Sequence, residues 1–291
     1  MLSQPIAEVF GFPPDNVGVE ACRYRKSKLC PFGNKVPNCT KDKSKNPLGV
    51  CSILDGEEIV ITCPIRFRQH WIIAEDAARF FFPPDSQWTT LTEVRLSDKY
   101  GKSAGNIDIV LVSYDEKGCI TDFGSLEIQA VYISGNIRNW FEQYMKNPDD
   151  YLVKDFQRKS LYPRPDYLSS SRKRLAPQLI FKGGIFHEWK KRMAVALNIS
   201  FFETLPHLDE VEPEVADIAW LIYELKHDNN QNRYFLQRQK IVYTKFKASL
   251  EIITTSQAGN VKNFIDILQG KIDKKIENGN KPDVEVMESP F

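Results

Sequence analysis

Asp108, Glu127 and Gln129 are the residues whose types and spacing most directly suggest chemistry. Asp108 lies in Gly105-Asn-Ile-Asp-Ile-Val-Leu-Val112, and the other two lie in Gly124-Ser-Leu-Glu-Ile-Gln-Ala-Val131. Both segments are apolar, β-rich runs of strand length, where a buried strand should carry no charge. Ser113-Tyr-Asp-Glu-Lys-Gly118 between them reads as a turn. With Lys117 and Gly118 as a two-residue hairpin turn, Glu116 faces Cys119, and counting back in step sets Asp108 opposite Glu127. Opposed residues share a face with Cβ atoms roughly 4.5–5.5 Å apart, and the period of two adds Gln129 to that face. A bulge in the turn would move this register by one. Paired carboxylates on apolar strands are costly unless a cation neutralises them. Mg²⁺ is typically held by one or two carboxylates with waters and phosphate oxygens. The alternative is that each acid ends a strand and is solvated.

Five of the six cysteines fall within Cys22–Cys63, and four follow the pattern Cys30-x8-Cys39-x11-Cys51-x11-Cys63. In a reducing compartment such clustering favours a metal over disulfides. The segment is rich in Lys, Pro, Asn and Gly and too poor in large apolar residues to build its own core. Four thiolates on a tetrahedral ion would tie it down, since metal binding then serves as folding energy. Unpaired, partly buried thiols are the alternative, and Cys22 is a competing ligand for Cys30.

The elements that must position these groups belong to an ordinary globular chain of 291 residues, 42% hydrophobic and 26% charged. No apolar run approaches the roughly 18 residues of a membrane span. The N-terminus lacks the basic and apolar regions of a signal peptide, so a cytoplasmic protein with no membrane partner is expected. The net charge of +1 hides segregation: residues 21–48 hold eight Lys/Arg against Asp42, and 171–192 hold seven against Glu188. Residues 203–228 reverse this, with eight acids against Lys226. Two basic blocks on a near-neutral chain favour a polyanion partner over a merely solvated face.

Along the chain, Gln4–Phe10 reads as a short helix with Ser3 as its N-cap. Glu57–Cys63 reads as a strand, 67–82 as a helix stopped by Pro83-Pro84, and Trp88–Leu96, containing Glu93, as a strand. Ile137–Met145 is amphipathic, and 147–170 reads as a long loop. A helical stretch opens at Arg172-Lys-Arg174 and is interrupted at Pro177 and Gly183-Gly184. A second helix then places Phe186, Trp189 and Met193 on one face and Lys190, Lys191 and Arg192 on another. Val215–Leu225 and Tyr234–Phe246 form a second strand pair, and Phe264–Ile276 a last helix before a frayed polar end. The four histidines suggest no ligand pair.

Ala7-Glu-Val-Phe-Gly11, Cys30-Pro-Phe32, Cys39, Gly49-Val-Cys51 and Cys63-Pro-Ile-Arg66 together resemble the N-terminal signature of the NotI group of type II restriction endonucleases. Gly124-x-Leu-Glu-Ile-Gln129 resembles that group's active-site strand, and Trp220-Leu-Ile-Tyr-Glu-Leu225 a later one. The matches span roughly residues 5 to 250.

The resemblance implies a PD-(D/E)xK nuclease core, an α/β fold with a mixed sheet flanked by helices and metal-bound acids on a central hairpin. Domains of 1–66 (helix and four-cysteine subdomain), 67–255 (nuclease) and 256–291 (helix and polar tail) follow. The resemblance makes Asp108 and Glu127 the Mg²⁺ ligands and sets Gln129 where most of the superfamily has lysine. Glu93 matches an additional acid of the group, while Ile107 stands where proline is usual. Cys30, Cys39, Cys51 and Cys63 match a four-thiolate site that holds iron in the group, and zinc suits the same ligands. The implied activity is site-specific cleavage of double-stranded DNA at a GC-rich palindrome by a homodimer, with a cognate DNA methyltransferase as genetic partner in a bacterium or archaeon. A non-catalytic DNA-binding module and a structure-specific repair nuclease are the alternatives. Lys26, Lys28, Lys35 and Lys41 are expected near the DNA backbone, and Arg172, Lys173, Arg174 and Lys182 near DNA from the second basic block.

Overall fold

Ile6–Val9 forms a strand (β1) that pairs antiparallel with Val50–Asp55 (β2), which pairs with Glu58–Ile61 (β3). The helix expected over 4–10 is therefore a strand. All four of its residues are buried, a demand that a solvent-facing helical turn does not meet. The computed structural model describes residues 4–43, 45–153, 162–256 and 258–277, so the Ser3 cap and the end of the tail lie outside the described residues. The chain divides into two compact units, 1–253 and 254–291.

The main sheet is built from Trp88–Ser97 (β4), Ser103–Tyr114 (β5), Ile120–Gln129 (β6), Met193–Asn198 (β7), Ile218–Asp228 (β8) and Arg233–Thr244 (β9), whose successive side chains point to opposite faces. The spatial order is β9-β8-β7-β6-β5-β4. β7 runs parallel to β6 and β8, and the other pairs are antiparallel, so the sheet is mixed. One face packs Ile109, Leu111, Leu126, Ile128, Ala194 and Ala196 against the helix Ile72–Phe81. Gly124 permits that contact, because a Cβ there would meet the Phe81 ring at 2.6 Å. The other face packs Val195, Leu197, Trp220 and Ile222 against Leu175, Leu179, Phe141 and Tyr144. Ile6, Phe10 and Val50, from the segment expected as an N-terminal subdomain, belong to this same cluster.

Met193 opens β7 and does not end a helix. Short, wholly buried strands carry no alternation, so periodicity alone assigns them poorly. The basic segment before it is one helical path over 167–188 with two wide, π-type turns, Ser171–Leu175 and Leu179–Gly183. Pro177 lacks an N–H and crowds the preceding turn, and a wide turn relieves that conflict without breaking the axis. The expected interruption is thus a widening. In the second unit, the helix expected over Phe264–Ile276 spans Val261–Glu277. No helix among the described residues is long and apolar enough to cross a membrane.

A buried ion pair joins the small sheet to the main one. Arg66 Nε donates to both Glu8 oxygens at 3.0 Å, with both side chains fully buried. Ser52 Oγ donates to Glu8 Oε2, Arg66 Nη1 donates to Gln69 Oε1, and Arg66 Nη2 donates to the Tyr234 carbonyl. The guanidinium also stacks on Phe32, 4.2 Å from the ring centre, in the cysteine segment. Removing one partner leaves the other charge buried alone, so Glu8→Ala should lower unfolding free energy by about 3–5 kcal/mol. Urea denaturation measures this, and a loss under about 1 kcal/mol would show that the network does not join the two sheets energetically.

Candidate active site

The β5–β6 pairing runs from Ser113 opposite Asp122 to Ile109 opposite Leu126. One step on, the same register sets Asp108 opposite Glu127, as the residue count from the turn predicts. The turn itself differs. Tyr114 pairs with Ile120, and the loop closes through Asp115 N to Cys119 O and Gly118 N to Asp115 O, both 2.9 Å. Thr121 is then an extra residue on β6, a bulge that restores the register which the longer loop had shifted.

Beyond Ile109 the main-chain ladder gives way to a side chain: Asp108 Oδ2 accepts the Ile128 N–H at 2.9 Å. Glu127 and Gln129 point to the face opposite Leu126 and Ile128, and both are buried. Lys182 Nζ donates to Glu127 Oε2 at 2.7 Å, with the two side chains 8% and 1% exposed. Glu127 Oε1, both amide atoms of Gln129 and Ser125 Oγ have no hydrogen-bond partner among the described residues. Buried polar atoms are rarely left so, and a stripe of them along one strand marks where water, an ion or a substrate belongs. Burial first, and the Asp108 charge second, push the Glu127 carboxyl up to about 7, while Lys182 and Arg174 pull it back. A divalent cation fits this donor set, because it would neutralise two crowded carboxylates and satisfy an orphaned oxygen.

Glu93 sits on β4 between the pairs Thr92–Ile109 and Val94–Ile107, opposite Asp108. Its side chain is 62% exposed and bonded to Lys35 at 3.0 Å, so it does not join the carboxylate pair in this structure. Its φ of +56° is strained for a side-chain-bearing residue.

Two short hairpin-like loops assemble the cysteines. Cys30 N donates to Pro37 O and Cys39 N to Lys28 O, which closes one. Thr62 N donates to Cys51 O, which closes the other beside Cys63. None of these thiols is in a disulfide. The Cys51 thiol lies in the fields of Cys63, Glu8, Cys30 and Cys39, and burial pushes its pKa well up. Burial likewise pushes Cys30 up to about 11. Cys22 is exposed on the helix Val19–Ser27, its Sγ on Val17 O, apart from this group. Four neighbouring thiols suit a thiophilic ion, which would hold them as thiolates against that burial. Among the described residues, no three His, Cys, Asp or Glu side chains already stand in metal-holding geometry.

The basic residues divide by location. Lys41 is tied to Val50 O and Thr62 Oγ1 at 2.7 and 3.2 Å, and Lys35 to Glu93. Lys26 is exposed and Lys28 half-buried; Arg172 and Lys173 are exposed on the helical path, and Arg174 is half-buried. Lys182, expected near DNA, is buried and donates to Glu127. Sequence did carry a signal for it. Leu175, Leu179, Lys182 and Phe186 recur at helical spacing, and the three apolar members are buried, so a lysine on that stripe faces inward.

A mixed sheet flanked by helices, with two acids facing each other on its central hairpin, is the architecture of a nuclease core. The profile described as Restriction endonuclease NotI matches residues 15–236, and the chain belongs to that family of type II restriction endonucleases. It is by that membership a DNA endonuclease. No curated protein sequence gave a significant match.

Crowded like charges store instability that function requires. Asp108→Asn keeps an acceptor for Ile128 N–H and removes one charge, so the metal-free protein should gain about 1 kcal/mol. Urea unfolding in chelator measures the gain, and a loss of stability would show that the two carboxylates do not repel each other in the folded state.

Proposed function

We propose that this endonuclease hydrolyses double-stranded DNA in a Mg²⁺-dependent reaction at a GC-rich palindrome, as a homodimer whose subunits each cut one strand. The arrangement that supports this is the opposed Asp108–Glu127 pair. Each carboxylate has one oxygen engaged by the protein, through Ile128 N–H or Lys182, and Glu127 Oε1 is unpartnered. Asp108 and Glu127 would hold the cation. When bound, Mg²⁺ acidifies a water and neutralises charge building on the scissile phosphate. Gln129 has an amide that neither takes a proton nor carries charge, so it orients the attacking water. Glu93 reaches the centre only by releasing Lys35.

Lys26, Lys28, Arg172 and Lys173 contact phosphates, which fixes orientation without reading sequence. Arg172 and Arg174 are candidates for guanine contacts. Two-fold symmetry of the protein matches that of a palindrome. Cys30, Cys39, Cys51 and Cys63 would hold one iron or zinc ion. Four protein ligands leave no open position, so that ion is a structural clip. Cutting in the cytoplasm of a bacterium or archaeon requires protected host sites, which makes a DNA methyltransferase the genetic partner.

Unmethylated plasmid incubated with Mg²⁺ should give discrete bands, and Asp108→Ala should slow cleavage at least about a hundredfold. DNA that is retarded on a gel but never cut, by either protein, would leave only a binding role. Elemental analysis of purified protein should find one iron or zinc per chain, lost with several degrees of melting temperature in Cys51→Ser. Metal-free wild type of equal stability would remove the clip.

A further inference from the structure

Lys182 is a buried ammonium on the inward side of a helical path, 55 residues along the chain from the carboxylate it meets. A lysine is almost never buried unless paired, and this one has its pair in Glu127 Oε2 at 2.7 Å. Two features bring it there. The wide turn Leu179–Gly183 carries it, and Gly105, with φ +104°, lies against its stem near the start of β5. A Cβ at Gly105 would already touch Lys182 Cε at 3.5 Å, on a backbone that side-chain-bearing residues rarely adopt. The result is a division of labour within one carboxylate: Oε2 is engaged, and Oε1 has no partner among the described residues.

We propose that Lys182 is a positioning residue of the active site, holding Glu127 by Oε2 so that Oε1 is presented to the catalytic cation. This rests on the reading of Asp108 and Glu127 as metal ligands. Partners that fix the orientation of a ligating carboxylate typically contribute 10–100-fold in metal affinity. Gln129 cannot take over this task, since its amide makes no hydrogen bond to Glu127. The competing role is a place-holder, an ammonium that only neutralises the acids until metal displaces it. The two roles differ in sign. Removing a place-holder removes a competitor and tightens metal binding, whereas removing a positioning group loosens it.

Calorimetric titration of Mn²⁺ into full-length, DNA-free protein reads that sign without any cleavage assay. Lys182→Met should bind Mn²⁺ about 10–100-fold more weakly than wild type, and Lys182→Arg, which keeps a charged donor, within about fivefold. Should Lys182→Met fail to fold, Lys182→Gln, a neutral donor, takes its place with the same expected direction. Unchanged or tighter binding in the folded variant overturns the positioning role while leaving the nuclease reading intact. If Glu127→Gln binds Mn²⁺ as tightly as wild type, the assignment of Glu127 as a ligand fails, and the role of Lys182 fails with it.

Discussion

Two crowded carboxylates, Glu127 buried and Asp108 half-buried beside it, are the constraint around which this protein is arranged. The β5–β6 register sets Asp108 opposite Glu127 on a hairpin of the main sheet, where the buried Glu127 carboxyl is costly to desolvate and the neighbouring like charge adds to that cost. The fold answers with partial compensation. One main-chain N–H serves Asp108, one ammonium serves Glu127, and the remaining demand is left open.

That arrangement requires rigid elements on both faces. The Ile72–Phe81 helix closes against Gly124 on one side, and the helical path over 167–188 covers the other. Lys182 lies on the inward stripe of that path with Leu175, Leu179 and Phe186, within the wide turn Leu179–Gly183. The Glu8–Arg66 network does the corresponding work at the N-terminal edge. It links β1, the cysteine segment through Phe32, and β9 through Tyr234, so the cysteine loops rest on the nuclease core.

Family membership and geometry support each other at different levels. The NotI match defines an endonuclease class over residues 15–236. The local chemistry comes from this chain: a neutral Gln129 with no partner, Glu93 held by Lys35, and Lys182 on Glu127. The cysteines follow the same logic, since two separate loops supply two thiols each to one neighbourhood that Cys22 does not enter.

Local patterns determined a good part of this protein. Apolar, β-rich runs marked β5 and β6, a second strand pair was read at β8 and β9, and counting from the turn set Asp108 against Glu127, because pairing register is a local count along two strands. That count survived a wrong turn only because the Thr121 bulge cancelled the longer loop. Cysteine spacing drew attention to four thiols, and motif order identified the family. Tertiary structure alone decided the rest. β1 is a strand because its partner β2 lies more than forty residues away, and β7 is a strand because it is sandwiched between β6 and β8. Helical spacing turns Lys182 inward, but only the folded chain brings it to Glu127, 55 residues away in sequence. Periodicity reports which face a residue takes; only the folded chain determines what stands opposite that face.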